Sequence, residues 1–586
     1  MRRQLTLIIL ITVVCFGCNN TNSTKFNLDF EYVAENNQPA QWSMPDKSYH
    51  GYVSELDSGQ KKLGRYSLHM SQIDSEKSGW AIFSQDLPAS MVRGRTIELS
   101  GWIKTDQVTE GFADLYLEEY KDVNFNSFPV DTLNRGVRNS SGWTQIVIKK
   151  HLDNDSSYVL FGGILKGNGE AWFDYLELTI DGKPFRDAIV PAPKARLTRE
   201  DKQELRKYIY PLQTVEPGEE GTNDLDVLKE LIGESTVVAL GENSHGSSEI
   251  YKMKDRLIRY MAKYLGFDIF SIEADMPSAY QLNMFTQQGK NSSKQLIYNM
   301  GMWVWDTEEM LSLVNWMKDF NLSGRKITYT GFDMQNINGS VEHLTIAFKD
   351  DKQSSQLLGG IQDALKNVLS YSSIGSPQIN PKIAAEIERG LSQIKDRIDT
   401  LPYDDNTKEW LRQNVTLIHQ FLGQGPVIWR DRCMADNILW IRQQNPSSRI
   451  VIWAHNGHIE KNSSMMGDFL DDNLKSAYTN FGFTFYDGTY TGIRRDSKDF
   501  VQKAQRAYPG TVEYLLGKLD EPIFILDLKK MRKDGSLALA WIDDLWFRHV
   551  GAAKLENEFT DKNITEKFDY LVFIRHTTPS QLFSGN

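Results

Sequence analysis

At 586 residues the chain is too long for one compact core, and its 40% hydrophobic and 24% charged residues are the proportions of globular domains rather than of a disordered or fibrous chain. A mean hydropathy of -0.45 excludes a polytopic membrane protein. A formal net charge of -11 argues against nucleic acid as a partner, because phosphate binding needs a concentrated Lys/Arg surface.

The chain opens with Arg2 and Arg3, a short apolar stretch over 5–16, and Gly17-Cys18. That apolar core is too short to span a membrane as a mature helix and has the form of a signal peptide over 1–18. A small residue just before a cysteine resembles a lipobox. The expectation is therefore an exported lipoprotein of the bacterial cell envelope, held to the membrane by a lipid on Cys18. The polar run 19–26 reads as its tether. Once the leader is removed only Cys18 and Cys433 remain, so no disulfide is expected within the fold.

Over 27–186 short alternating runs recur: Ile97, Leu99 and Ile103; Leu115 and Leu117; Ile146 and Ile148; Leu176, Leu178 and Ile180. Period-two alternation between Gly-, Asn- and Asp-rich turns predicts an all-β sandwich. Trp42, Trp80, Trp102, Trp143 and Trp172 are dense here, and the run 171–178 resembles the last strand of a carbohydrate-binding jelly roll. The tryptophans are read mainly as core, with a glycan as a possible ligand of this domain. A linker is expected over 187–204, where Pro191 and Pro193 meet a cluster of Lys and Arg.

From 205 to 586 β-branched runs at 236–240, 267–272, 327–330, 450–454, 522–526 and 570–574 alternate with helical patterns. This predicts an α/β domain with a mainly parallel sheet. Residues 355–422 show helical periodicity without a strand and read as a helical cap insertion, either a lid or an outer layer.

In an open α/β sheet the ligand crevice lies at the carboxyl ends of the strands. Four runs are followed there by acids or imidazoles: Glu242 and His245; Glu273 and Asp275; Asp333; His455 and His458. In the helix after His245, Ile250, Met253, Leu257, Met261 and Leu265 share one face, and Lys254 falls within that stripe. A buried ammonium is costly unless paired, so Glu242 or Glu273 is its expected partner, unless the stem snorkels to solvent. Asp431 is placed to cap the helix that carries Met434, Ile438 and Ile441, which leaves Arg430 free to reach an oxyanion. Trp303 and Trp305 are candidates for an apolar pocket wall. No G-x-S-x-G elbow occurs, which argues against a serine nucleophile.

Gly241-Glu242-Asn243-Ser244-His245-Gly246, Arg256-Leu257-Ile258-Arg259, Ile272-Glu273-Ala274-Asp275, Met302-Trp303-Val304-Trp305, Gly331-Phe332-Asp333-Met334-Gln335, Arg430-Asp431-Arg432-Cys433-Met434-Ala435 and Trp453-Ala454-His455-Asn456 resemble, in that order, the erythromycin esterase family. The resemblance runs from about residue 205 onward. It implies a hydrolase that opens an ester or macrolide lactone with water and uses no metal or other cofactor. It casts His245 as general base, with Glu242, Glu273, His455 and His458 around the water and substrate. On the residues alone, apart from the resemblance, Lys254, Arg430, Trp303, Trp305 and Asp333 are the candidates for substrate and oxyanion contacts. Two other readings stay open. The same acids and imidazoles are a candidate divalent-ion ligand set, although no H-E-x-x-H is present, and the chain could be a cell-surface glycan-binding protein with a degenerate hydrolase domain.

Overall fold

A computed structural model describes residues 27–583 except 34–37, 40–41, 45–50, 74–78, 88–91, 93, 121–135, 141, 154–157, 185–193, 219–220, 291, 370–380, 424–426, 494–498 and 556–557. The leader, the tether with Cys18, and Pro191 and Pro193 of the expected linker lie outside the described residues. The chain divides into two compact units, one of residues 1–119 and 131–192, the other of residues 120–130 and 193–586.

The first unit is all-β. Its strands are β1 (Tyr52–Asp57), β2 (Ser67–Gln72), β3 (Trp80–Leu87), β4 (Thr96–Asp106), β5 (Gly111–Tyr120), β6 (Thr144–His151), β7 (Tyr158–Gly167), β8 (Glu170–Ile180) and β9 (Lys183–Pro184). One sheet runs β1-β2-β8-β4-β6 with β9 beside β8, and a second runs β3-β7-β5. In β4 every second residue is buried, as its alternating sequence requires. Leu99 and Ile103 of one sheet and Phe83, Leu115 and Phe161 of the other fall in one apolar core. Trp42 and Trp172 are buried, and Trp172 stacks on His69 with ring centroids 4.7 Å apart.

The second unit opens with α1 (Arg199–Arg206), which occupies part of the stretch expected to be a linker. The reason is local: Thr198 and Asp201 form a capping box, and Leu205 is buried. Its strands are β10 (Ile209–Pro211), β11 (Val237–Leu240), β12 (Ile269–Asp275), β13 (Thr328–Asp333), β14 (Ile450–Trp453), β15 (Tyr478–Thr491), β16 (Val501–Lys503), β17 (Ile523–Asp527), β18 (Phe547–Arg548), β19 (Phe559–Asp561) and β20 (Tyr570–Thr577). The main sheet runs β10-β17-β20-β15-β11-β14-β12-β13. It is mixed: β20, β15, β11, β14, β12 and β13 pair in parallel, whereas β10 with β17, β17 with β20, and β16 with β15 pair antiparallel.

β11, β12 and β14 are buried on both faces, which explains their continuous apolar runs. Val238, Leu240, Phe270, Val451 and Trp453 face one apolar layer, and Val237, Ala239, Ile269, Ile450 and Ile452 face the other. Its helices include α2 (Ser248–Tyr264), α3 (Met276–Gln288), α4 (Glu308–Leu322), α5 (Asn338–Ala347), α6 (Lys352–Leu369), α7 (Pro381–Arg397), α8 (Asp405–Leu422), α9 (Val427–Gln444) and α10 (Asn456–Ile459). Helices α5 to α8 enclose an apolar cluster of their own, including Leu344, Leu358, Leu391 and Val415.

Candidate active site

The loop after β11 carries Glu242 and His245. Gly246 lets this loop press against β15, since a Cβ there would lie 1.8 Å from the Thr491 carbonyl oxygen. Ser247 then caps α2 by accepting from the Ile250 amide, which fixes where the helix begins. Glu242 is fully buried and all its hydrogen bonds are spoken for. Its Oε1 accepts from His245 Nδ1 at 2.7 Å, and its Oε2 accepts from Lys254 Nζ and from the Trp453 indole, each at 2.8 Å.

A carboxylate can only accept, so Nδ1 of His245 carries a hydrogen, which in the neutral imidazole leaves the lone pair on Nε2. No hydrogen bond to that Nε2 is formed among the described residues, and the side chain keeps 14% of its surface exposed. Lys254 lies beneath Glu242 with no exposed surface and its Nζ 4.2 Å from the Trp453 ring centre. Burial pulls this ammonium down to about 8, against the pull of Glu242 and Glu273 to keep the charge. The expected pairing with Glu242 is present. Lys254 nevertheless stands behind that carboxylate, not among groups that could meet a substrate's oxyanion.

Glu273 and Asp333 belong to the last residues of β12 and β13 rather than to the loops after them. Between them sits Arg430. Its Nη2 donates to Glu273 Oε1 at 2.9 Å and to Asp333 Oδ2 at 2.6 Å, and its Nε donates to Asp333 Oδ1 at 3.2 Å. Arg430 is therefore not free for an oxyanion as expected: two acids from neighbouring strands hold its fork. Nor is Asp431 an N-cap, because α9 begins at Val427 and Asp431 lies in its second turn. Its Oδ1 instead accepts from His458 Nδ1 at 2.7 Å and from the Met466 amide at 3.0 Å.

His458 Nε2 lies 3.3 Å from Glu273 Oε1. Burial works against charge on this ring, but Asp431 and Glu273 overcome it and push His458 up to about 10. It is an imidazolium at neutral pH, so the 3.2 Å approach of Arg430 Nη1 to its Nε2 is a contact of two donors that share Glu273. Burial would raise Glu273, yet His458, Arg430 and His245 outweigh it and hold that acid well below its usual range. Asp275 is raised, by burial and by the neighbouring Asp333.

The raised His458 makes a testable contribution. A histidine whose folded value exceeds its unfolded value of about 6.5 stabilises fully below the latter and loses that contribution as pH rises through the folded value. The stability gap between the wild-type chain and His458→Gln, from urea unfolding, should narrow between about pH 6.5 and pH 10. Comparison with the variant cancels Lys254, whose lowered value works in the opposite sense above pH 8. A constant gap would mean that His458 is neutral.

His455 caps α10, its Nδ1 accepting from the Gly457 amide at 3.2 Å while its own backbone N–H donates to Glu273 Oε2 at 3.0 Å. Its Nε2 is buried and has no hydrogen-bond partner among the described residues. The His245 and His455 ring centres are 5.1 Å apart, and those of His455 and His458 6.4 Å. Side chains separated by more than two hundred positions thus share one site. Of the two tryptophans, Trp305 is fully buried, with its ring centre 6.4 Å from that of His245, and belongs to the core rather than to a pocket wall. Trp303 is partly exposed and pairs with Phe500 at 5.9 Å.

The arrangement does not suit a divalent ion. Every carboxylate oxygen of Glu242, Glu273 and Asp333 already accepts from a cation or an N–H. Among the described residues no three His, Cys, Asp or Glu side chains are placed to hold a metal. Sequence reasoning missed Trp453 as a donor to Glu242, Asp431 as the partner of His458, and His549, whose ring centre is 4.7 Å from that of His455. Trp453 stood in an apolar run and in the Trp453-Ala454-His455-Asn456 motif, neither of which marks its indole as a donor. His549 follows a two-residue strand that leaves no periodicity to read.

A model of the family described as erythromycin esterase matches residues 263–577. Among curated proteins, a putative hydrolase, YbfO, of Bacillus subtilis (strain 168) is 26% identical over 63% of this chain and 90% of its own. Erythromycin esterase type II of Escherichia coli is 24% identical over 45% of this chain and 73% of its own. Among solved structures, one described as a succinoglycan biosynthesis protein is similar at a TM-score of 0.56 and 25% identity, covering 65% of this chain and 98% of that one.

Proposed function

The chain belongs to the erythromycin esterase family, and from that membership we propose that it hydrolyses an ester or lactone with a water molecule activated by His245, without a covalent intermediate. One observation carries the reading: Glu242 takes the Nδ1 hydrogen of His245 and so turns the Nε2 lone pair toward the partly exposed side of the site. In the proposed step Nε2 accepts a proton from water as the water oxygen bonds to the acyl carbon, and the carbonyl electron pair moves onto oxygen. That oxyanion accepts a hydrogen bond from His455 Nε2–H, the hydrogen-bearing nitrogen because Nδ1 is an acceptor. Collapse breaks the bond to the alcohol oxygen, which takes the proton back from His245. The products are a carboxylic acid, which ionises, and an alcohol.

In this reading Lys254 and the Trp453 indole hold the second oxygen of Glu242, so the carboxylate orients the imidazole without swinging away. Glu273, Asp333, Arg430, Asp431 and His458 act as positioning groups, since Glu273 holds the His455 backbone, Arg430 and His458 hold Glu273, and Asp333 and Asp431 hold those two cations in turn. The substrate's apolar body is proposed to rest on Trp303 and Phe500. Phe500 accepts through its carbonyl from the Gly492 amide, next to the strand residue that pairs with Gly246.

Incubating the chain lacking residues 1–24 with macrolides and with acylated sugars, followed by mass spectrometry for the gain of one water, tests the reading. No hydrolysis of any ester or lactone in such a panel would defeat it. Trp303→Ala should raise KM about tenfold with little change in kcat, as expected for apolar contact made equally in ground and transition states. A fall in kcat at unchanged KM would place Trp303 elsewhere in the mechanism. The export and lipid anchoring expected from Arg2, Arg3 and Cys18 are likewise proposed, and fatty-acid labelling lost in Cys18→Ser would support them.

A further inference from the structure

We infer that His549 is a positioning residue of the active site, whose ring holds His455 neutral with its hydrogen on Nε2, the form able to donate to an oxyanion. The purpose of that donor rests on the reading above, but the charge and tautomer of His455 can be measured without any substrate.

The backbone around His549 is fixed on both sides. Arg548, fully buried, forms an ion pair with Glu558, and its amide donates to Glu513 Oε1 at 3.0 Å. The His549 amide donates to the Glu558 carbonyl at 2.7 Å. One residue later the Val550 amide donates to the Asn243 carbonyl at 2.9 Å, and the Gly551 carbonyl accepts from the His245 amide at 3.1 Å. The segment that carries His549 is therefore tied directly to the loop that carries Glu242 and His245.

The His549 ring stands at 80° to that of His455 with centres 4.7 Å apart. The two rings converge over Gly457, where a Cβ would lie 3.2 Å from His549 Cε1 and 3.4 Å from His455 Nδ1. This is the place where the Gly457 amide donates to His455 Nδ1. A protonated His455 would set an N–H against that amide and lose the bond that caps α10. With Nδ1 taken as acceptor, the second His455 nitrogen, buried and without a partner among the described residues, is left as the donor, and the His549 ring packs beside that arrangement.

The titratable groups packed against His455 come from several elements. His245 faces it from the β11 loop, His458 from α10, His549 from the segment after β18, and Lys254 of α2 touches the preceding Ala454 carbonyl. Arg430 and Asp431 of α9 bear on it through His458. Glu273 favours charge on His455, but its oxygens serve Arg430, His458 and the His455 backbone. Burial, then His549, His245 and His458, hold the ring well below the ordinary imidazole range.

The test is long-range proton–nitrogen NMR of the full chain carrying nitrogen-labelled histidine, with His455→Asn to assign the signal. His549→Phe keeps an aromatic ring without the titratable nitrogens, and His549→Gln serves as the second variant should the first fail to fold. In the wild-type chain His455 should remain a single Nε2–H tautomer through the range in which ordinary histidines titrate. In either variant its protonation midpoint should rise by about one pH unit. An unchanged midpoint in a folded variant, or hydrogen on Nδ1 in the wild type, overturns the inference. Because no turnover is involved, either result is distinct from a failure of the hydrolase reading.

Discussion

Replacing His245 with Asn is expected to lower kcat/KM for ester hydrolysis by about 10²–10⁴, the usual range for removing a general base, while thermal unfolding changes little. The reasoning is geometric. His245 makes one side-chain hydrogen bond, to Glu242, and is partly exposed, so its loss removes little packing. An amide of similar shape can still approach Glu242 but cannot take a proton from water at neutral pH. Steady-state kinetics on the best ester of the panel, with unfolding of both proteins recorded alongside, checks this. An undiminished rate would remove His245 from the mechanism.

A larger structural effect is expected at the buried pair beneath it. Glu242→Gln leaves the Lys254 ammonium in a site with no exposed surface and without its anionic partner. Breaking a buried ion pair by removing one partner typically costs about 3–5 kcal/mol, because the remaining charge stays desolvated. The variant should therefore unfold at markedly lower urea concentration and lose activity with the orientation of His245. Adding Lys254→Met should restore much of the stability, since it removes the stranded charge and fills the stem's volume, but not the activity. Activity recovered together with stability in the double variant would show that Glu242 serves the fold and not the base.

The sequence exposed the part of this site that follows from strand ends. β11, β12 and β14 are buried on both faces and so stand out as runs, β13 shows as a shorter β-branched run, and the acids and imidazoles at their ends could be read directly. The Lys254 pairing was legible because a cation within an apolar helical stripe demands a partner. β15 was not, although it is the longest strand of the sheet's parallel portion. Its buried polar residues break any apolar run and are satisfied by tertiary bonds: Asn480 donates to the Ile459 and Lys567 carbonyls, and Thr484 to Glu513. The edge strand β10 and its neighbour β17, which help make the sheet mixed, pair across more than three hundred residues, a relation no local pattern carries. The same holds for Arg430, which looked free because the two acids that hold it end different strands.

The claim that water attacks the acyl carbon directly is tested most sharply by a single turnover in heavy-oxygen water, with the products and the intact protein followed by rapid-quench mass spectrometry. The expected result is one heavy oxygen in the carboxylate product, none in the alcohol, and protein of unmodified mass at every time point. Protein carrying the acyl group at early times would contradict it.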